Sequence, residues 1–290
     1  MPFIPKLTPL AEIAKEAGDT ILGMQKSIVK KYDNGNGLQE ECDGQGDKWQ
    51  QKIDRSIITD ADIKANQIIC KALAERFPRV AVVSEENSMA QNQAALKAKD
   101  RFETDPLDNT GGYIEGRDVF SVTIGRIVGD RPTEGVIYFP AKQELYYTGE
   151  DGKAYLQKGD ASPQLIQVRK GAHDSLNVAV GFHEQNIDYL AGKDITTTLL
   201  SAQLRTCAIA CGECDISGVN RGAGGFNTWD IVGPHAVLLA AGGDMVMEDG
   251  TPLRYSGDNV TVPRHIVGSF EALERCVPGY EPERADRLRA

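Results

Sequence analysis

Long apolar runs are missing from this sequence: nowhere in its 290 residues do about 18 apolar residues follow one another. The opening stretch MPFIPKLTPLAEIAKEAGDTILGMQ also lacks the basic segment and unbroken apolar core of a secretory leader. A soluble, cytoplasmic chain with no membrane partner is therefore expected. Positive charge is scarce as well. Against 42 Asp and Glu stand 32 Lys and Arg, for a formal charge of −10, whereas nucleic-acid polymers are held by clustered cations that neutralise their phosphates. Six cysteines without regular pairing do not make a disulfide frame and read as reduced thiols. Cys207, Cys211 and Cys214 form the one cluster, predicted to share a helix face and to pack as small hydrophobes, since no fourth zinc ligand lies close in sequence.

What is present is a globular composition, 41% hydrophobic and 26% charged, on a chain long enough to bury a large core. Thr8-Pro9 reads as an N-cap and first-turn proline, followed at helical spacing by Leu10, Ile13, Ala14, Ala17, Ile21 and Met24. A second helix is predicted over 62–77, closed by Pro78. Between them, residues 33–54 are polar and glycine-rich and read as a mobile loop. Residues 80–83 form a short, largely β-branched run, a buried strand that delivers Ser84-Glu85-Glu86 at its end. A brief segment at 102–104 leads into Asp105-Pro106-Leu107-Asp108. Strands follow at 119–128, 135–139, 144–148 and 154–156, an antiparallel meander. The second half alternates: strand 177–180, helix 202–211, strand 214–216. After Trp229-Asp230 comes a helix apolar on every side, which must lie buried between layers. Sheets with helices packed on them, in two halves over 1–160 and 161–290, predict a layered α/β or α+β sandwich.

Four acids fall where structure would expose them together: Glu85 at a strand end, Asp105 and Asp108 flanking a proline-leucine pair, and Asp230 at the start of the buried helix. Desolvating carboxylates is costly without a partner, and a divalent cation is the natural one. Oxygen-only ligands suit Mg²⁺, Mn²⁺ or Ca²⁺, and of the four histidines only His235 lies near these acids in sequence. The 105–108 segment reads as a turn. Proline holds Asp105 extended, Leu107 anchors the core, and a free carbonyl offers a further hard oxygen. Asn109-Thr110-Gly111-Gly112 then presents closely spaced N–H groups with little bulk, a surface suited to phosphate. An exposed acidic turn is the bland alternative.

Taken in order, Thr59-Asp60-Ala61-Asp62, Ser84-Glu85-Glu86, Asp105-Pro106-Leu107-Asp108-Asn109-Thr110, and Trp229-Asp230 with an apolar helix ending Ala240-Ala241-Gly242-Gly243 resemble the motif set of the inositol monophosphatase superfamily. The likeness covers nearly the whole chain, from the first helix to near residue 260. Gly135-Val136-Ile137-Tyr138-Phe139-Pro140, with Glu144-Leu145-Tyr146-Tyr147 and Gly152-Lys153-Ala154-Tyr155, resembles the CysQ-type 3′(2′),5′-bisphosphate nucleotidase branch. The resemblance implies an α-β-α-β-α sandwich and a phosphomonoesterase using two or three Mg²⁺ ions, with Mn²⁺ as a substitute and Li⁺ or excess Mg²⁺ as inhibitors. It implies Glu85, Asp105 and the Leu107 carbonyl around one ion, and Asp105, Asp108 and Asp230 around a second. Paired ions of this kind sit roughly 3.5 to 4 Å apart, which calls for a shared carboxylate such as Asp105. Asp62 and Thr110 would be the catalytic pair that orients or deprotonates the attacking water, Asp62 also touching a third ion. Asn109, Thr110 and Gly111 would receive the phosphate of a small ester: 3′-phosphoadenosine 5′-phosphate, or else an inositol or sugar phosphate. Homodimers are common in such a family.

The pattern is not complete. Asn109 stands where the family has glycine; Asn tolerates left-handed backbone, but its side chain is positioned to crowd the phosphate and slow the reaction. Ala223, in Gly222-Ala223-Gly224-Gly225, replaces an inositol-branch glutamate seven residues before Asp230. Cys211 takes the place of a nucleotidase acid, and Gly181-Phe182-His183 that of a serine-rich strand end. Arg205, after a hydroxyl-rich turn, can grip a second phosphate bidentately and reads equally as a solvated helix residue. A slowed, nucleotide-binding regulator is the alternative outside enzymes.

Overall fold

Thr8 caps the first helix, α1 (Pro9–Tyr32), its hydroxyl accepting from the Ala11 N–H at 3.4 Å. The stripe Leu10, Ile13, Ala14, Ala17 and Ile21 is buried as its spacing predicts. A short antiparallel ribbon, β1 (Trp49–Gln51) with β2 (Ile57–Thr59), precedes α2 (Asp60–Arg76). Thr59 and Asp62 cap α2 reciprocally, each side chain bonded to the other's backbone N–H. The computed structural model describes residues 6–32, 49–51, 57–171, 174–181, 187–218, 226–256 and 260–282. Most of the predicted 33–54 loop lies outside them, and 49–51 are strand.

The first large sheet has seven strands in sequence order: β3 (Ala81–Ser84), β4 (Asp100–Asp108), β5 (Ser121–Val128), β6 (Arg131–Phe139), β7 (Glu144–Thr148), β8 (Ala154–Lys158) and β9 (Gln164–Leu165). β3 joins parallel to β4 through α3 (Met89–Leu96), and the rest is the antiparallel meander. The helix α4 (Thr110–Ile114) follows β4. The second sheet is built from β10 (Ser175–Val180), β11 (Asp194–Leu199), β12 (Ile216–Ser217), β13 (Gly243–Met247) and β14 (His265–Ser269), in the order β11-β10-β12-β14-β13. Between the sheets lie α5 (Ala202–Ala210) and α6 (Thr228–Ala241), and α7 (Phe270–Cys276) covers the far side. Three apolar clusters mark the layers. Leu10, Ile69 and Leu73 meet Phe102 and Tyr138; Ile127 and Phe139 meet Val237, Met245 and Val267; Val178 and Ile266 meet Leu273. This is the expected α-β-α-β-α sandwich.

Helix α6 rests on the first sheet main chain against main chain. A Cβ added at Gly233 would stand 2.8 Å from the Ile124 carbonyl oxygen, and one at Gly135 only 2.2 Å from the Gly233 oxygen. Gly125 faces the Gly233 nitrogen as closely, at 2.5 Å.

Two local expectations are corrected. Residues 105–108 are not a turn but the end of the nine-residue strand β4, which also absorbs 102–104. The ladder with β5 shifts register between Asp105 and Asp108, so Pro106, which cannot donate, sits where pairing is interrupted. The three thiols do not share a helix face either: α5 ends at Ala210, Gly212 turns the chain at φ 76°, and Cys214 lies beyond. Cys207 and Cys214 are buried and free. No described helix is long and apolar enough to cross a membrane.

Candidate active site

Three elements bring the acids together. β4 carries Asp105 and Asp108, the turn after β3 carries Glu85, and the first turn of α6 carries Asp230. The Glu85 N–H donates to the Thr104 carbonyl at 3.2 Å, which fixes that turn beside β4. Leu107 N–H holds Asp105 Oδ1 at 2.9 Å and Asn227 N–H holds Asp230 Oδ2 at 2.7 Å. Glu85, Asp105 and Asp230 each place a carboxylate oxygen within 4.8 Å of the others. Asp108 stands outside this trio, near enough for its charge to bear on Asp105 and Asp230. Ser121 Oγ donates to Asp108 Oδ2 at 3.2 Å.

Burial pushes Asp105 well above the usual carboxylate range, and the charges of Glu85, Asp108 and Asp230 push it further. Burial likewise raises Asp230, reinforced by Asp108, and takes Asp108 to about 6. Among the described residues no Lys or Arg pairs with Asp105, Asp108 or Asp230. An oxygen-only cluster of converging carboxylates is the donor set of a hard divalent cation, and these residues fit one.

Beside the trio, Asp62 is 2% exposed. Thr59 holds its Oδ2 through both N–H and hydroxyl, while Thr110 Oγ1 lies 3.0 Å from its Oδ1. The same hydroxyl is 3.1 Å from the Leu107 carbonyl, and its single proton serves one acceptor at a time. The Leu107 carbonyl thus competes with Asp62 for that proton. Burial raises Asp62 to about 6 against the opposing hydrogen bonds from Thr59 and Thr110.

Asn109 adopts the left-handed backbone the sequence demands, φ 66° and ψ 49°. Its side chain is held locally. Oδ1 accepts from Gly112 N–H at 3.2 Å and Nδ2 donates to the Val119 carbonyl at 3.3 Å, which turns the carboxamide along α4. Gly111 is exposed two residues on. Arg205 is no solvated residue: it is 6% exposed and lines a small cavity with Ser217, Phe226, Met245 and His265. Ala223, Phe182 and His183 lie outside the described residues.

Gln203 escaped the sequence reading. Its Nε2 donates to the Asp230 carbonyl at 2.8 Å. A signal existed: Pro234, four residues after Asp230, withholds the N–H that this carbonyl would receive within a helix.

The chain's relatives make this frame that of a hydrolase of phosphoric monoesters. The chain belongs to the inositol monophosphatase family, which its residues 7–275 match. Among its relatives, the 3′(2′),5′-bisphosphate nucleotidase CysQ of Salmonella typhimurium is 27% identical over 260 residues, covering 86% of this chain and 94% of the relative. Inositol monophosphatase 1 of Solanum lycopersicum is 28% identical over 229 residues, covering 75% and 82%. The crystal structure of CysQ from Bacteroides thetaiotaomicron shares the fold with a TM-score of 0.68 at 24% identity, over 90% of this chain and 96% of that one.

Proposed function

We propose that this phosphatase removes the 3′-phosphate of 3′-phosphoadenosine 5′-phosphate or a close relative, using Mg²⁺ held by Glu85, Asp105, Asp108, Asp230 and the Leu107 carbonyl. The observation that carries the reading is the meeting of three carboxylate oxygens within 4.8 Å, beside the Asp62–Thr110 pair. Two ions would engage all of these oxygens, with Mn²⁺ able to replace Mg²⁺. Divalent cations bound there would neutralise charge gathering on the phosphoryl group and acidify the attacking water. The chain's own residues do the rest. Thr110 Oγ1 orients that water and relays a proton to Asp62 Oδ1, 3.0 Å away. Asp62 suits this role because burial has raised its proton affinity toward neutrality. The backbone of Asn109, Thr110 and Gly111 faces the phosphate oxygens. The nucleotide substrate is supported by the CysQ relatives and by the meander residues of β6 to β8 that resemble that branch.

A phosphate-release assay with Mg²⁺ across nucleotides, inositol phosphates and sugar phosphates tests it. The fastest release is expected from 3′-phosphoadenosine 5′-phosphate, and silence on every nucleotide removes this substrate. The 28% identity to a tomato inositol monophosphatase supports a second reading, an inositol or sugar phosphate, which the same panel separates.

A further inference from the structure

Pro234 creates a vacancy in the helix that carries Asp230. Lacking an N–H, it leaves the Asp230 carbonyl without its helical donor, one residue group from the carboxylate that faces Asp105. A buried carbonyl left unmatched is destabilising, and the first turn of α6 would be free to shift. Gln203, 3% exposed on α5, fills the vacancy with Nε2 at 2.8 Å. A carboxamide nitrogen has two protons on one rigid plane. One of them is directed at the Asp230 carbonyl.

We propose that Gln203 is a positioning residue of the metal site: its carboxamide ties the α6 turn bearing Asp230 to α5, and so sets where that carboxylate stands against Asp105 for Mg²⁺. The inference rests on the reading of these carboxylates as ion ligands. The effect of Gln203 is on how tightly the ion is held, since partners that orient ligands typically contribute about 10- to 100-fold to metal affinity.

The test is Mg²⁺ binding to the full chain without substrate, measured by titration calorimetry. Gln203→Met keeps the side chain's length and removes both donors; it is expected to weaken Mg²⁺ binding by about tenfold or more. At saturating Mg²⁺ the KM for the substrate is expected to stay as in the unaltered chain. In the Pro234→Ala background the helix supplies its own donor, so the same Gln203→Met change should cost clearly less affinity, a non-additivity that general loosening would not produce. Mg²⁺ affinity within twofold of the unaltered chain for Gln203→Met overturns the proposal. Should that variant fail to fold, the ¹⁵N-labelled glutamine carboxamides of the natural chain decide. The Gln203 signal is expected to move with the midpoint of Mg²⁺ binding, and a signal that stays still overturns the proposal. An unaltered chain that takes up no Mg²⁺ removes the metal reading itself and the positioning role with it.

Discussion

Burial and neighbouring carboxylates disfavour the anions of Asp105, Asp108 and Asp230 until a cation joins them, and this gives single substitutions opposite effects on stability and turnover. Asp105→Asn removes a charge that burial, Glu85, Asp108 and Asp230 all oppose. Its melting temperature in Mg²⁺-free buffer should rise, while kcat/KM falls by about a hundredfold or more; a melting temperature that drops would contradict the repulsion. Asp108→Asn should lose turnover and keep its circular dichroism spectrum. The pH dependence follows from Asp62 and Asp108, which hold protons to about 6 in the fold against 3.8 when free. Between those values the folded chain binds more protons than the unfolded one, so stability of the ion-free protein declines as pH rises from about 4 to about 6, and Asp105 and Asp230, raised well above the usual range, carry the decline further. Mg²⁺ competes for the same oxygens, so the melting-temperature gain it confers should be larger at roughly pH 7.5 than at roughly pH 5. Equal gains at both would place the ion elsewhere. The acids themselves were legible in the sequence as a motif set; the Gln203 carboxamide was not, because its partner lies on another element and only Pro234 hints at the need for it.

At the level of elements, the sequence was plainest where a cap marks a start. Thr8 announces α1, which begins there; α2, predicted from 62, begins two residues earlier at Asp60 under the Thr59 cap. It was least plain at β4, where a proline inside the strand imitates a turn and only the register shift against β5 accommodates it. β11 was missed because Asp-Ile-Thr-Thr-Thr-Leu lies exposed at a sheet edge and shows no inward and outward alternation. α3 was missed because eight residues give barely two turns of pattern. For α4, Asn109→Gly trades relief of left-handed backbone against loss of the Gly112 cap. These terms oppose, each about 1 kcal/mol or less, so the melting temperature should change little. Turnover should stay within a few-fold, because the carboxamide already points along α4; a large gain in kcat would show that it obstructs the phosphate after all.

For the molecule as a whole, the layered architecture could be read from periodicity, since an all-apolar helix between two sets of strands has nowhere to go but the middle. The depth at which that helix sits could not, because it depends on Gly125, Gly135 and Gly233 meeting in space from distant parts of the chain. Gly233→Ala should cost about 1–3 kcal/mol by overpacking and weaken Mg²⁺ binding at the same time, as α6 lifts Asp230 away from Asp105; an unchanged Mg²⁺ affinity would show that the helix can tilt without moving its first turn. With no side chain interposed at that contact, the gap between the two acids is measured out in backbone atoms. A lineage built on such a gauge could replace most of the lining of its pocket, and with it the molecules it accepts, while the interval that grips the ion stayed the same.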